Sequence, residues 1–218
     1  MSQVGNGPVV ALLADVVGSR THERAALHRA LLAAVADATE RVPALDPLRP
    51  TVGDELQGIY ATLGGALTAS IRLRLHLGGA GTATGSAPVE LRFGVGVGEV
   101  TTVDGERGIQ DGTAWWRARD AIDWVHDRSG RSGYESVRTA VRDVDGAPPV
   151  DGLLRLLDAT LARLRPGALR TLAGLLDGLD NQETADREGI TASANSQRIR
   201  NNDLRPLADA IRALGEMS

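Results

Sequence analysis

The chain has 218 residues, 42% of them apolar and only 3% aromatic, with a net charge of -4. That length suits one large domain or two small ones, and the negative balance leaves any DNA contact to a local patch. Cysteine is absent and all 24 basic residues are Arg, which excludes disulfides, thiolate metal sites, cysteine nucleophiles, Schiff-base lysines and a P-loop lysine.

No charged segment followed by an apolar one opens the chain, so no secretory signal is expected. No apolar run approaches the ~20 residues of a membrane span, and a cytoplasmic protein without membrane contact is the expectation. The run PVVALLAD (8–15) predicts a buried strand. Thr21 is placed to cap the next helix, with Glu23 in its first turn. That helix reaches about Val42 on the phase of Leu27, Leu31, Val35 and Ala38, and Pro43, Pro47 and Pro50 end it. A short strand near 51–53, a turn at Gly53-Asp54 and a returning strand over 55–60 follow. Residues 62–77 have helical period, with Leu67, Ile71 and Leu75 inward and Arg72 and Arg74 outward. Residues 78–88 read as a flexible loop. VELRFGVGVGEV (89–100) alternates as a strand does. No helix start follows it in the place a dinucleotide fingerprint needs.

Residues 101–112 hold turn formers and charge, and 112–128 form an amphipathic helix carrying all three Trp. Trp115, Trp116 and Trp124 suit either packing onto a sheet or stacking on a base. The segment 141–152 is the best boundary, dividing the chain into 1–147 and an all-helical 148–218. The four His lack metal-ligand spacing and read as solvent-facing. The first half has the order β-α-β-β-α-β, the split βαβ or ferredoxin-like arrangement of an α+β fold. There the first two strands run the same way, with the third antiparallel between them. The end of strand one and the hairpin of strands two and three then share a sheet edge, which puts Asp15 and Asp54 side by side. Two carboxylates so placed suit a divalent metal holding a triphosphate. Taken singly, each is more readily a turn or capping residue.

ADVVGSR, VGDEL and LRFGVGVGEV, in this order, resemble the palm of the class III nucleotidyl cyclases. Extended through DGTAWWRAR to the C-terminus, the chain resembles the SatD family. The resemblance implies Mg²⁺ (or Mn²⁺) held by Asp15 and Asp54, with the Val16 carbonyl as a third ligand and Glu55 as a substitute. It implies a nucleoside triphosphate or other nucleotide over the loop Val17, Gly18, Ser19 and Arg20, with helix-start N–H groups facing the phosphates and Gly53 in the hairpin. The family pattern also has a base-reading Lys, where Pro50 stands here, and an Asn and an Arg, where Trp116 and Asp120 stand. Arg117, Arg119 and Arg20 are the candidates for the Arg that would neutralise a leaving pyrophosphate.

QETADREGITASANSQRIR (182–200) fits a helix-turn-helix, with Ala185 at the helix crossing, Gly189 in the turn, Ile190 anchoring it and Ile199 buried. Thr191 is the cap of the second helix and lies at the DNA face. Ala192, Ser193, Asn195, Ser196, Gln197 and Arg200 are the expected exposed recognition positions, and Arg198 the phosphate contact. Thr184, Glu188 and Asn195 stand where apolar residues are usual. Two apolar-faced helices within 151–180 suggest a homodimer. The leading expectation is a regulator with a metal–nucleotide palm and a DNA reader. The alternatives are an active nucleotidyl cyclase or nucleotidyltransferase, and a non-catalytic interaction scaffold.

Overall fold

The structure is a computed structural model that describes residues 7–51, 54–80, 88–105 and 107–218. The fold is α+β. The first strand, β1 (Val9–Val16), leads through a short 3-10 turn at Ser19–Thr21 into α1 (Arg24–Arg41), β2 (Asp46–Pro50) and β3 (Leu56–Tyr60). Next come α2 (Leu63–Ala80), β4 (Leu91–Gly98), the hairpin strands β5 (Thr101–Asp104) and β6 (Ile109–Asp111), α3 (Thr113–Ser129) and β7 (Thr139–Arg142). The main sheet has the order β2-β3-β1-β4-β7. Both β1 and β2 are antiparallel to β3, which lies between them as the sequence predicts; β4 is antiparallel to β1 and parallel to β7.

The boundaries depart from expectation in informative ways. Of the strand expected near 51–53, residues 52 and 53 lie outside the described residues; the second strand is β2 at 46–50, and it contains Pro47 and Pro50. It lies at the sheet edge, where a missing N–H removes no ladder bond. Glu23, not Thr21, caps α1: its carboxylate accepts the N–H of Ala25 and Ala26 at 2.8 and 2.6 Å. Within 101–112, read as turn formers, lies the β5–β6 hairpin, and the expected boundary at 141–152 opens inside β7.

The two sheet faces are covered differently. Val10, Leu12, Ala14, Phe93 and Val95 face α1 and α2 in the main core. Val9, Ala11, Leu13 and Ile59 face α3 through Ala114, Ala118 and Ile122. The GVGVG alternation has its cause here. A Cβ on Gly94 or Gly96 would overlap the carbonyl oxygen of Ala118 or Ala114 on α3. Glycine on that face of β4 lets the helix backbone rest directly on the strand. Helix α3 lies over β4, β7 and β1, so the same face of β3 carries only the edge of the helix.

The remaining chain is helical: α4 (Val150–Arg163), α5 (Pro166–Leu176), α6 (Asn181–Glu188), α7 (Ala192–Asn201) and α8 (Leu204–Gly215). Pro166 occupies the first turn of α5, as its fixed φ favours. These helices continue the main core: Leu154, Leu157, Leu161, Leu169, Leu172, Leu204 and Ile211 are buried in the same cluster as β1 and α2. Leu154, Leu157 and Leu161 of α4 and Leu169 and Leu172 of α5 are thus buried within the chain, while Leu153 and Leu156 of α4 stay exposed. Helix α4 also closes the free edge of β7. Asp151 accepts the Val141 N–H at 2.9 Å, and Asp158 accepts those of Arg138 and Thr139 at 2.7 and 2.9 Å. Side-chain carboxylates here take the place of a sixth strand along β7, so the β7 edge is covered, and β2 is the sheet's other edge.

Candidate functional site

The β1–β3 pairing ends at Ala14 opposite Leu56. Continued two residues further, it sets Glu55 opposite Asp15 and Asp54 opposite Val16. Side chains alternate along a strand, so Asp15 and Glu55 point to the same face as Leu13, Gln57 and Ile59. This is the face α3 covers in part. Arg92 of β4 is the cross-strand neighbour of Asp15 on the other side, with Nη1 3.5 Å from Asp15 Oδ2. Glu55 Oε2 accepts from Arg119 Nη2 of α3 at 2.8 Å. Three carboxylates therefore crowd one edge, with an Arg beside two of them.

The electrostatics of Asp15 follow. Its side chain is 40% exposed. Its pKa is raised above the ordinary carboxylate value, chiefly by burial, then by the charges of Asp54 and Glu55; Arg92 and the Val16 N–H oppose this. A carboxylate destabilised by its neighbours is relieved by a cation. Asp15, Asp54 and Glu55 offer oxygen donors only, the donor type that hard divalent ions take. Among the described residues no group of three or more acidic or histidine side chains is placed to hold a metal ion. Backbone oxygen at the end of β1 and oxygens of a bound phosphate would have to supply the remaining ligands.

The other sequence candidates are placed as follows. Gly53 lies outside the described residues. Val17 donates its N–H to the Glu90 carbonyl at 2.9 Å. Gly18 has a left-handed backbone, φ 66°, and its carbonyl accepts from the Thr21 hydroxyl at 2.8 Å. Ser19 and Arg20 belong to the 3-10 turn, and Arg20 is exposed. The expectation that α1 turns free N–H groups to a phosphate is corrected at Ala25 and Ala26, because Glu23 already takes both. Arg117 donates to the Val97 carbonyl at 2.6 Å, so it ties α3 to β4, whereas Arg119 reaches the acidic edge.

Beside that edge lies a cavity of about 480 Å³ lined by Leu13, Glu55, Gln57, Gln110, Trp115, Trp116 and Arg119. Trp116 is 61% exposed and donates its indole N–H to Asp111 at 2.7 Å. Trp124 instead packs among the guanidinium groups of Arg128, Arg142 and Arg155. Arg92, Gln57 and Gln110 were not among the sequence candidates. Phase alone could have found Arg92, which stands two residues before Gly94 on the α3 face. Gln57 stands two residues after Glu55 in the same way.

In the C-terminal helices Gly189 makes the turn with φ 64°, Asp180 and Glu183 form a capping box on α6, and Thr191 caps α7 through the Ala194 N–H at 3.1 Å. Ala185 and Ile199 are buried as expected. Ser193, Gln197 and Arg200 are exposed and Ser196 is half-buried. Two expected surface positions are corrected. Asn195 is fully buried; it accepts from the Thr171 hydroxyl at 3.0 Å and donates to Asn181 Oδ1 at 3.1 Å. Arg198 is turned inward onto the Gly167 carbonyl, Thr171 and Glu188 at 2.9, 3.0 and 3.0 Å. Glu188 also binds Arg170, which donates to the Gly79 carbonyl at the end of α2. The polar residues at usually apolar positions thus form a satisfied buried network.

Among the described residues no helix is long and apolar enough to cross a membrane. A search of the curated proteins finds no match. Among solved structures, the chain is similar to the adenylate cyclases from Trypanosoma brucei in their monomeric state, with 14% identity over 55% of this chain and 70% of that one, at a TM-score of 0.37. The family model described as the SatD family matches residues 9–207, nearly the whole chain, and on that match the protein belongs to the SatD family.

Proposed function

We propose that the acidic edge of β1 and the β2–β3 hairpin binds a divalent metal–nucleotide, and that α6 and α7 form a helix-turn-helix that reads DNA, making the protein a nucleotide-responsive regulator. In this reading residues 1–147 are a cyclase-like palm and 148–218 the DNA-contacting unit. The observation that carries the nucleotide half is that Asp54 and Glu55 lie near enough to Asp15 for their charges to add to the burial that raises its pKa. A Mg²⁺ or Mn²⁺ ion would supply charge neutralisation of phosphates. The protein's own groups would bind and orient: Asp15, Asp54 and the Val16 carbonyl the ion, Arg119 and Arg20 the phosphates. Glu55 now engages Arg119, so a bound ion competing for Glu55 would free that guanidinium.

The DNA half is supported by the αL turn at Gly189, the Thr191 cap and the outward Ser193, Gln197 and Arg200. Asn195 and Arg198 no longer belong to the reading face. Coupling between the halves would run through Asp177, at the end of α5. It binds Arg41 of α1 and Arg72 of α2, and lies 3.6 Å from Arg187 of α6. A nucleotide shifts DNA affinity only if it favours one arrangement of these helices.

The experiment is a thermal shift with nucleoside triphosphates, with and without Mg²⁺. A ligand at a hundred times its dissociation constant adds roughly 2.7 kcal/mol of apparent stability. A Mg²⁺-dependent shift lost in Asp15→Asn and Asp54→Asn is expected; equal shifts in the variants would sink the metal–nucleotide reading. Release of pyrophosphate, lost in Asp54→Ala, would turn the sensor into a cyclase or nucleotidyltransferase. No duplex binding at low salt would leave the helical part as an interaction module.

A further inference from the structure

Two residues that line the cavity beside the acidic edge each hold a polar atom with no partner among the described residues. The Trp115 indole Nε1 and the Gln110 side-chain oxygen Oε1 are both shielded and both without a hydrogen bond, and both residues line the cavity. Buried polar groups are nearly always paired, and here an unmatched donor and an unmatched acceptor border one space. The orientation of Gln110 is held from behind. Its Nε2 donates to Asp46 Oδ2 at 3.0 Å. The other oxygen of Asp46 accepts from Arg49 Nη1 at 2.6 Å. A flipped amide would set its oxygen against the Asp46 carboxylate, so Gln110 presents an acceptor to the cavity. Trp115 presents a donor only, because an indole has no acceptor.

The geometry points to a nucleobase pocket, in which Trp115 donates to a base acceptor, Gln110 accepts from a base N–H, and Trp116 forms the stacking wall. A nucleobase carries a donor and an acceptor side by side on its Watson–Crick edge and offers a flat face to an aromatic ring. The cavity is within the roughly 300–1,000 Å³ range of small-molecule sites. Its rim includes Glu55 and Arg119, so a ring seated there would trail its ribose and phosphates onto the acidic edge. Trp116 is the exposed wall, bonded to Asp111; the two unpaired atoms are shielded in this arrangement, so a base reaching them would require Trp116 to move aside. The inference deepens the metal–nucleotide reading: it assigns base recognition to Gln110 of β6 and to Trp115 and Trp116 of α3.

Calorimetry on the full chain separates the two readings. The probes are the four nucleoside triphosphates with Mg²⁺, inorganic tripolyphosphate with Mg²⁺ as a base-free ligand, and the four nucleosides without phosphate. One triphosphate should bind at least tenfold tighter than tripolyphosphate. Trp115→Phe, which removes the N–H donor and keeps a smaller aromatic ring, and Gln110→Met, which keeps the length, should each bring that ratio close to one and leave tripolyphosphate affinity within twofold. A ligand-side control needs no variant: purine riboside, lacking the exocyclic donor, should bind at least fivefold more weakly than adenosine if adenine is the preferred base. Equal affinity for all four triphosphates and tripolyphosphate would overturn the pocket while leaving the acidic edge standing. So would a base preference that survives both substitutions. Nucleoside binding that depends on Trp115 and Gln110, without any tripolyphosphate binding, would uphold the pocket and overturn the metal–phosphate reading. No binding of any probe overturns both.

Discussion

Removing the Asp158 carboxylate should detach the helical layer from the sheet. Asp158 of α4 is 1% exposed. It accepts the backbone N–H groups of Arg138 and Thr139 at 2.7 and 2.9 Å, the Thr139 hydroxyl at 3.2 Å and the Arg74 guanidinium of α2. Asp158→Ala leaves two backbone donors at the edge of β7 unmatched, and an Arg that is itself only 12% exposed. Breaking a buried pair by removing one partner costs about 3–5 kcal/mol. For a chain of this size each kcal/mol is worth roughly 2–4 °C, so the melting temperature should fall by about 6–20 °C. Urea unfolding followed by far-ultraviolet circular dichroism measures the change directly. The paired replacement Arg74→Met with Asp158→Leu should regain part of the loss, because both charges leave the interior together. A loss below about 1 kcal/mol in Asp158→Ala would refute the assignment of Asp158 as the clamp between α4, β7 and α2.

Three further outcomes are expected. Asp15 holds its proton more tightly folded than unfolded, so metal-free protein should lose stability as pH rises from the unfolded carboxyl value of about 3.9 through the higher folded one. Asp15→Asn should then be more stable than wild type at neutral pH and converge with it in acid, as denaturant melts across pH will show. Gly96→Ala drives a methyl into the backbone of α3 and should cost about 1–3 kcal/mol by overpacking, visible as a lower urea midpoint. Arg198→Ala should lower stability by about 1–3 kcal/mol through the broken Glu188 and Gly167 bonds. Arg200→Ala should leave stability within about 0.5 kcal/mol and reduce DNA affinity and its salt slope; the opposite ranking would reverse the two assignments.

Much of the local structure around the candidate site was legible because its signals are local. An apolar run ending in Asp15 and a Gly-Asp turn before Glu55 announce strand ends, and period-two alternation announces β4. The αL glycine at 189 and the capping box from Asp180 announce the turn and start of short helices. Each rests on the backbone preferences of a few adjacent residues. Strand ends whose partners lie far along the chain were less legible. Proline in β2 argues against a strand unless its edge position is known, and β7 is four residues long, too short to have a pattern.

By itself, then, the amino-acid order determined the α+β class, the helices, the strands β1, β3 and β4, and the placement of β3 antiparallel between β1 and β2. These follow from hydrophobic period and chain connectivity, which each segment carries within itself. Only the tertiary structure decided which polar side chains are spent inside. Asn195 and Arg198 occupy the helix positions a DNA reader would show, and both face α5 because Thr171 and Gly167 offer them partners there. Gln110 and Trp115 come to border one cavity because α3 rests on the glycines of β4 and stops short of β3. Long-range packing sets these placements, since the free energy of a polar group depends on the partners that surround it and not on its neighbours in sequence.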